Sequence, residues 1–200
     1  AVAIIHSLSP NPEPDPVLYL EGGPGGDDVG VAPIMPVRVP FLQTVLQSRD
    51  VILVDQRGMG LSRPIYHCSP YIEQSDIYAV DFVETYVERM SQCPQQFDNE
   101  GIDWTKFTTR QNALDLSNIA KVLGYDEVNL YGVSYGTLLG LIILRENPSG
   151  VRSAILDSVL TPSAHTFKQS AENMSNAFAK VIADCTNDAV CSRAYPDLLE

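Results

Sequence analysis

Positive charge is scarce: 13 Lys and Arg stand against 25 Asp and Glu, for a net charge of −12. Phosphate backbones and anionic lipid repel such a chain, so nucleic acid and acidic membrane surfaces are poor partners. Cationic substrates, such as peptides with a free amino terminus, are favoured, although salt screens the attraction. No apolar run approaches the roughly 18 residues of a membrane span. The stretch Leu138 to Leu144 is short and interrupted by Gly140. The opening Ala-Val-Ala-Ile-Ile-His lacks the basic lead and cleavage pattern of a secretory signal and reads as a strand. The four cysteines contain no Cys-x-x-Cys pair, and none of the three histidines stands at zinc-knuckle spacing from them. Cys185 and Cys191 frame a short loop, and Cys68 and Cys93 bracket a polar, Tyr-rich insertion. Two local disulfides are expected, and with them an oxidising compartment, secreted or periplasmic; the other reading is four reduced, buried thiols.

What is present is a globular balance over 200 residues, 44% hydrophobic and 19% charged. A chain of this length buries enough surface to hold a core unaided. Short apolar runs at Val17 to Glu21, Val51 to Val54, Val128 to Tyr131 and Val151 to Leu156 read as buried parallel strands, with Val2 to Ile5 as an edge strand. Between them, Thr108-x-x-Gln111 is a capping-box pattern. The helix it opens carries Ala113, Leu116, Ile119, Ala120 and Leu123 at helical spacing and stops at Gly124. A further helix runs from the Ser134 turn to before Pro148. Alternating strands and helices predict an α/β fold, a mostly parallel sheet with helices on both faces. The expected core is 1–160, with an irregular excursion at about 64–107. From residue 161 to 200, Phe167, Ala171, Met174, Phe178 and Val181 recur at helical spacing and read as the start of a helical cap.

Gly132-Val133-Ser134-Tyr135-Gly136 follows an apolar strand and precedes an apolar helix, the context of a Gly-x-Ser-x-Gly elbow. Side chains two residues either side of the serine would clash with neighbouring backbone, so glycine stands at both places. Ser134 is the candidate nucleophile, at a helix N-terminus that favours developing negative charge. Acyl transfer also needs two N–H donors aimed at the oxyanion. The loop Glu21-Gly22-Gly23-Pro24-Gly25-Gly26 is expected to supply one, and the residue after the nucleophile, Tyr135, the other. No Gly-Lys-Ser/Thr follows, which argues against a phosphate cradle. Asp55-Gln56-Arg57-Gly58-Met59-Gly60-Leu61-Ser62 reads as architectural support, tying its loop to neighbours.

Taken together, these three motifs resemble the prolyl aminopeptidase and tripeptidyl aminopeptidase family, and Ala154-Ile155-Leu156-Asp157-Ser158-Val159 looks like the strand before that family's cap. The resemblance covers nearly the whole chain. It implies an α/β-hydrolase fold with a helical cap, Ser134 as nucleophile, and Gly23 and Tyr135 as backbone oxyanion donors. Cys185 and Cys191 sit where tripeptidyl-type relatives have a paired cap loop. The implied activity is release of an N-terminal proline or short peptide from a substrate with a free amine. Glu21 stands where many members have His, which narrows the subgroup to the tripeptidyl type. The family's acid and base lie on loops after two further strands, so a fragment of a longer protein is expected.

Within these residues, Ser134, Asp157 and His165 follow the order nucleophile, acid, base. They are a possible in-chain acid and base, although His165, eight positions on, would have to fold straight back over the serine. His6 and His67 read as surface or packing residues. Glu172, Asp184 and Asp188 could meet a substrate ammonium but read first as solvated carboxylates. Tyr66, Tyr71, Tyr78 and Tyr86 could line a groove but read first as packing. No metal or organic cofactor is called for, because Ser, His, Asp and backbone amides complete the chemistry. The rival readings are a carboxylesterase or lipase with the same machinery, and an inactive truncated hydrolase fold. Oligomeric state is left open.

Overall fold

The computed structural model describes residues 1–65 and 80–197. Its centre is built by two short strands, Val17–Leu20 (β2) and Val51–Val54 (β3), buried at every position. Side chains alternate between two cores. Leu18, Leu20, Ile52 and Val54 enter one; Val17, Tyr19, Val51 and Leu53 enter the other. Burial on both faces is why these strands read as continuous apolar runs and not as an alternating pattern.

With Val2–Ile5 (β1), Val128–Val133 (β4) and Val151–Asp157 (β5), they form a five-stranded sheet in the order β1-β3-β2-β4-β5. β1 is antiparallel to β3, and the remaining pairs are parallel. The expected mostly parallel sheet with Val2 to Ile5 at its edge is the one found. At the amino ends of the parallel strands, Asp15 accepts from Arg49 Nε at 3.1 Å, Arg152 at 2.8 Å and Asn129 Nδ2 at 2.6 Å. Burial opposes its charge, but the hydrogen bonds from Asn129 and Arg49 prevail and hold the carboxyl below its usual range.

Helices cover both faces. Thr109–Val122 (described below as α5) and Tyr135–Glu146 (α6) pack on the first core through Ala113, Leu116, Ala120, Leu139, Ile142 and Ile143. Each buried leucine there contributes about 1.5–3 kcal/mol. α5 starts as its sequence implies: Thr108 Oγ1 accepts from Gln111 N at 3.3 Å, one half of the capping box. It ends at Leu123, with Gly124 at φ 89° in the left-handed region that terminates helices.

The other face is covered by two short helices, Met35–Arg38 (α1) and Phe41–Val45 (α2), which bury Met35, Leu42 and Val45. Four and five residues carry too little periodicity to mark a helix in sequence. The described part of the excursion, from residue 80 on, contains Phe82–Met90 (α3) and Cys93–Asn99 (α4). α3 buries none of its residues, although Phe82, Val83, Tyr86, Val87 and Met90 recur at helical spacing. Tyr86 lies on α3 against Phe82, with ring centroids 5.7 Å apart. Tyr66, His67, Cys68, Tyr71 and Tyr78 fall outside the described residues. Among the described residues no helix is long and apolar enough to cross a membrane.

The chain divides into two compact units, Ala1–Pro162 and Ser163–Glu200. The second is built from Thr166–Asn187 (α7) and Cys191–Ala194 (α8). A Cys185–Cys191 disulfide joins the two helices, and Cys93, buried, is not a free thiol. Asp188 accepts from Val190 N and Cys191 N, and Asp184 pairs with Lys180 at 2.8 Å, so both carboxylates are engaged locally. Met174, Phe178 and Val181 lie exposed along α7. Closing so short a loop removes roughly 2 kcal/mol of unfolded-chain entropy. Replacing both Cys185 and Cys191 with serine is expected to melt the α7–α8 hairpin earlier, as a lower-temperature loss of helical circular dichroism. The melting of Ala1–Pro162 should be unchanged.

Candidate active site

Ser134 is exposed at the carboxyl end of β4, where the strand turns into α6. Its backbone sits at φ 52° and ψ −115°, a region that residues with a Cβ rarely occupy. The flanking glycines explain how the turn closes. A Cβ on Gly132 would lie 2.6 Å from the carbonyl oxygen of Gly136, and one on Gly136 would overlap the carbonyl oxygen of Leu20 on β2. Three backbones therefore meet at distances only glycine allows. The turn is also bonded in place. Ser134 N donates to Asp157 O at 2.9 Å, and Thr137 Oγ1 donates to Ser134 O at 2.6 Å.

The glycine-rich loop after β2 lies directly against this turn. A Cβ on Gly22 would stand 3.1 Å from Val133 O and 3.2 Å from Ser134 Cβ. Gly22 N donates to Glu21 Oε1 at 3.0 Å, whereas Gly23, at φ 60°, is exposed. Among the described residues, neither Gly23 N nor Tyr135 N donates to a protein acceptor. Tyr135 N follows the serine directly, and Gly23 N follows the glycine that lies against it. The Tyr135 ring is buried, and its hydroxyl donates to Thr109 Oγ1 at 3.2 Å, tying the start of α6 to the start of α5.

Asp55, 2% exposed at the end of β3, holds the loop from below. Its Oδ1 accepts from Asp28 N and Val29 N, both at 2.9 Å, and its Oδ2 from Leu61 N at 2.8 Å. Arg57 makes a bidentate pair with Asp115 on α5, 2.7 Å on both arms, and donates to Lys106 O at 3.0 Å. The hydrogen bonds it donates to Asp115 raise its already high pKa. The Asp55–Ser62 segment is therefore the architectural tie its sequence suggests. A cleft of about 290 Å³ opens between it, the glycine loop and α5, lined by Pro24, Gly25, Met59, Phe107, Thr109 and Tyr135.

A second acidic group stands beside Asp55. Asp28 is 4% exposed, and no donor faces its Oδ1 among the described residues. Its carboxyl lies within hydrogen-bonding reach of that of Glu21, and Glu21 accepts from Tyr19 Oη at 3.3 Å. Burial first, and then the Glu21 and Asp55 charges, push Asp28 up to about 8. Burial and the Glu21 charge push the Tyr19 hydroxyl up as well. Sequence reasoning passed over this cluster. Asp27 and Asp28 are adjacent and alike in sequence; only the fold turns one outward and the other under the loop.

Asp157 ends β5, beside the elbow through its carbonyl, while its carboxylate accepts from Ser158 Oγ at 3.0 Å. His165 caps α7 in the second unit. His6 faces Asp50 at 3.3 Å, at the amino end of β3 and so at the end of the sheet opposite Ser134.

Comparison with known proteins agrees with this architecture. Serine protease Hip1 of Mycobacterium tuberculosis is 28% identical over 203 residues, 96% of this chain and 39% of its own length. The tripeptidyl aminopeptidase of Streptomyces coelicolor is 29% identical over 154 residues, 74% of this chain and 28% of its own. The chain therefore spans well under half the length of either relative. Among solved structures, an alpha/beta hydrolase from a Medee basin deep-sea metagenome, MGS-M2, superposes with a TM-score of 0.51 at 14% identity, over 90% of this chain and 48% of that one. A family profile described as the alpha/beta hydrolase fold matches residues 15–194, and the chain belongs to that family.

Proposed function

We propose that this chain carries the nucleophile and oxyanion donors of a serine exopeptidase that releases N-terminal proline or short peptides. The carrying observation is the Ser134 turn: an exposed serine at φ 52°, pressed against a glycine loop, with unengaged N–H groups at Tyr135 and Gly23. In this reading Ser134 Oγ attacks the substrate carbonyl and gives its proton to a histidine base. The carbonyl oxygen, now anionic, is held by the N–H groups of Gly23 and Tyr135, as acyl transfer requires. Collapse expels the new amino terminus of the shortened peptide, which takes the proton from the base. Water then releases the acyl group from Ser134 and regenerates the hydroxyl.

The base and its acid are proposed to come from outside these 200 residues, which span 39% and 28% of the two relatives; His6, for its part, lies at the other end of the sheet. The names of the relatives support peptide substrates, and the charge of −12 favours a substrate with a free amine. The Cys185–Cys191 bond supports an oxidising, secreted or periplasmic setting.

The test is a comparison of tripeptidyl and prolyl anilides, each with a free and an acetylated amino terminus, on a longer protein containing this chain. Cleavage confined to the free-amine substrates is the expected result. Equal cleavage of acetylated substrates, or turnover of simple esters alone, would replace the exopeptidase with an esterase.

A further inference from the structure

The carboxyl pair beneath the glycine loop has no part in the chemistry above, yet it touches the loop at both ends. Glu21 accepts from Gly22 N, the residue before the proposed donor Gly23. The loop then folds back over it, so that a Cβ on Gly26 would lie 3.0 Å from Glu21 Cγ. Asp28 closes the loop, anchored by its own N–H to Asp55. Among the described residues, the charges acting on Asp28 are those of Glu21, Asp55 and the cation Arg38 at the end of α1; Tyr19 lies beyond Glu21. One cation does not neutralise three carboxylates in a buried space.

We propose that Asp28 and Glu21 share a single proton, with Asp28 as donor and Glu21 as acceptor, and that this bond makes them positioning residues for the Gly22–Gly23 peptide. Glu21 then accepts from Asp28, Tyr19 and Gly22 at once, which fixes its side chain and turns the Gly22 N–H away from the serine. Gly23 N is left as a free donor of the loop. The proposal deepens the serine-hydrolase reading and rests on it for the meaning of the loop's position, although the pair itself does not. Loss of the proton places two adjacent anions above a third, and the loop separates from its anchor.

The sign of the pH dependence follows. Asp28 keeps its proton in the folded chain up to about pH 8, while an unfolded carboxyl loses it near pH 4. The folded state binds more protons across that window. The stability from this group is complete below the window and is lost as pH rises through it.

The experiment is NMR of the 200-residue chain titrated from about pH 5 to about pH 10, following the Asp28 carboxyl carbon and the Gly23 amide together. A shared midpoint near 8 is expected. In Asp28→Asn, whose amide donates to Glu21 at every pH, the Gly23 amide should stay still. In Glu21→Gln the Asp28 midpoint should fall, because the anion beside it is gone. A normal acidic midpoint for Asp28, or a Gly23 amide that ignores its titration, overturns the proposal. Fluorophosphonate labelling of Ser134 in the longer protein reports separately. If the NMR behaves as expected and Ser134 never labels, the hydrolase reading fails and the pair stands; labelling with no titration near 8 gives the converse.

Discussion

Ser134→Ala is expected to abolish covalent labelling by a fluorophosphonate and to lower turnover in the longer protein by on the order of 10⁶. The size follows from the role. Without Oγ no acyl-enzyme forms, and only the backbone donors remain. The substitution should leave stability nearly untouched, because the Ser134 side chain caps nothing at the start of α6. Alanine inherits the same positive φ and its strain. Ser134→Gly should be equally inactive yet more stable by about 1 kcal/mol, since glycine occupies that region freely. An inactive variant more stable than its parent is the mark of strain held for a reaction. The 200-residue chain alone should label slowly. Rapid labelling that vanishes in Ser134→Ala would place a base within these residues and return attention to His165 and Asp157.

Asp55→Ala should cost about 3–5 kcal/mol, a large share of the 5–15 kcal/mol that holds a domain together. Three backbone N–H groups, from Asp28, Val29 and Leu61, lose their acceptor together. The Asp28 N–H is buried, so water replaces its bond poorly. Asp55→Asn should fall between, because it retains one carbonyl oxygen. Removing the Asp55 charge also takes away one of the causes that keep the Asp28 proton bound, so Asp28 should titrate lower in both variants. Urea unfolding measures the first effect and the carboxyl titration the second. A variant that unfolds at the parental urea concentration would mean that the three N–H groups find other acceptors.

The sheet was legible in the sequence because its central strands are buried on both faces, and an apolar run between turn residues has few other uses. The Ser134 turn was legible for a related reason. Gly132 and Gly136 mark backbone approaches that no other residue permits, and such constraints survive in one dimension. α1 and α2 were not, since both are shorter than a reliable period; α3 does show Phe82, Val83, Tyr86 and Val87 at helical spacing, but within a stretch otherwise polar and irregular. The Asp28 pair left no mark either. Its chemistry depends on which of two adjacent aspartates turns inward, a matter settled by Asp55 from 27 positions away. Asp157 and His165 follow the order of a triad along the chain, and order alone carries no geometry.

The exit of β5 is also fastened to the elbow. Ser134 N is held by Asp157 O, and Thr137 Oγ1, which donates to Ser134 O, accepts from Leu160 N at 2.7 Å. The segment from Ser134 to Leu160 is one piece of masonry, with no slack between the serine and the exit of β5. An insertion between Ser134 and Leu160 would pull on the serine itself, whereas one after Pro162 falls outside every bond named here.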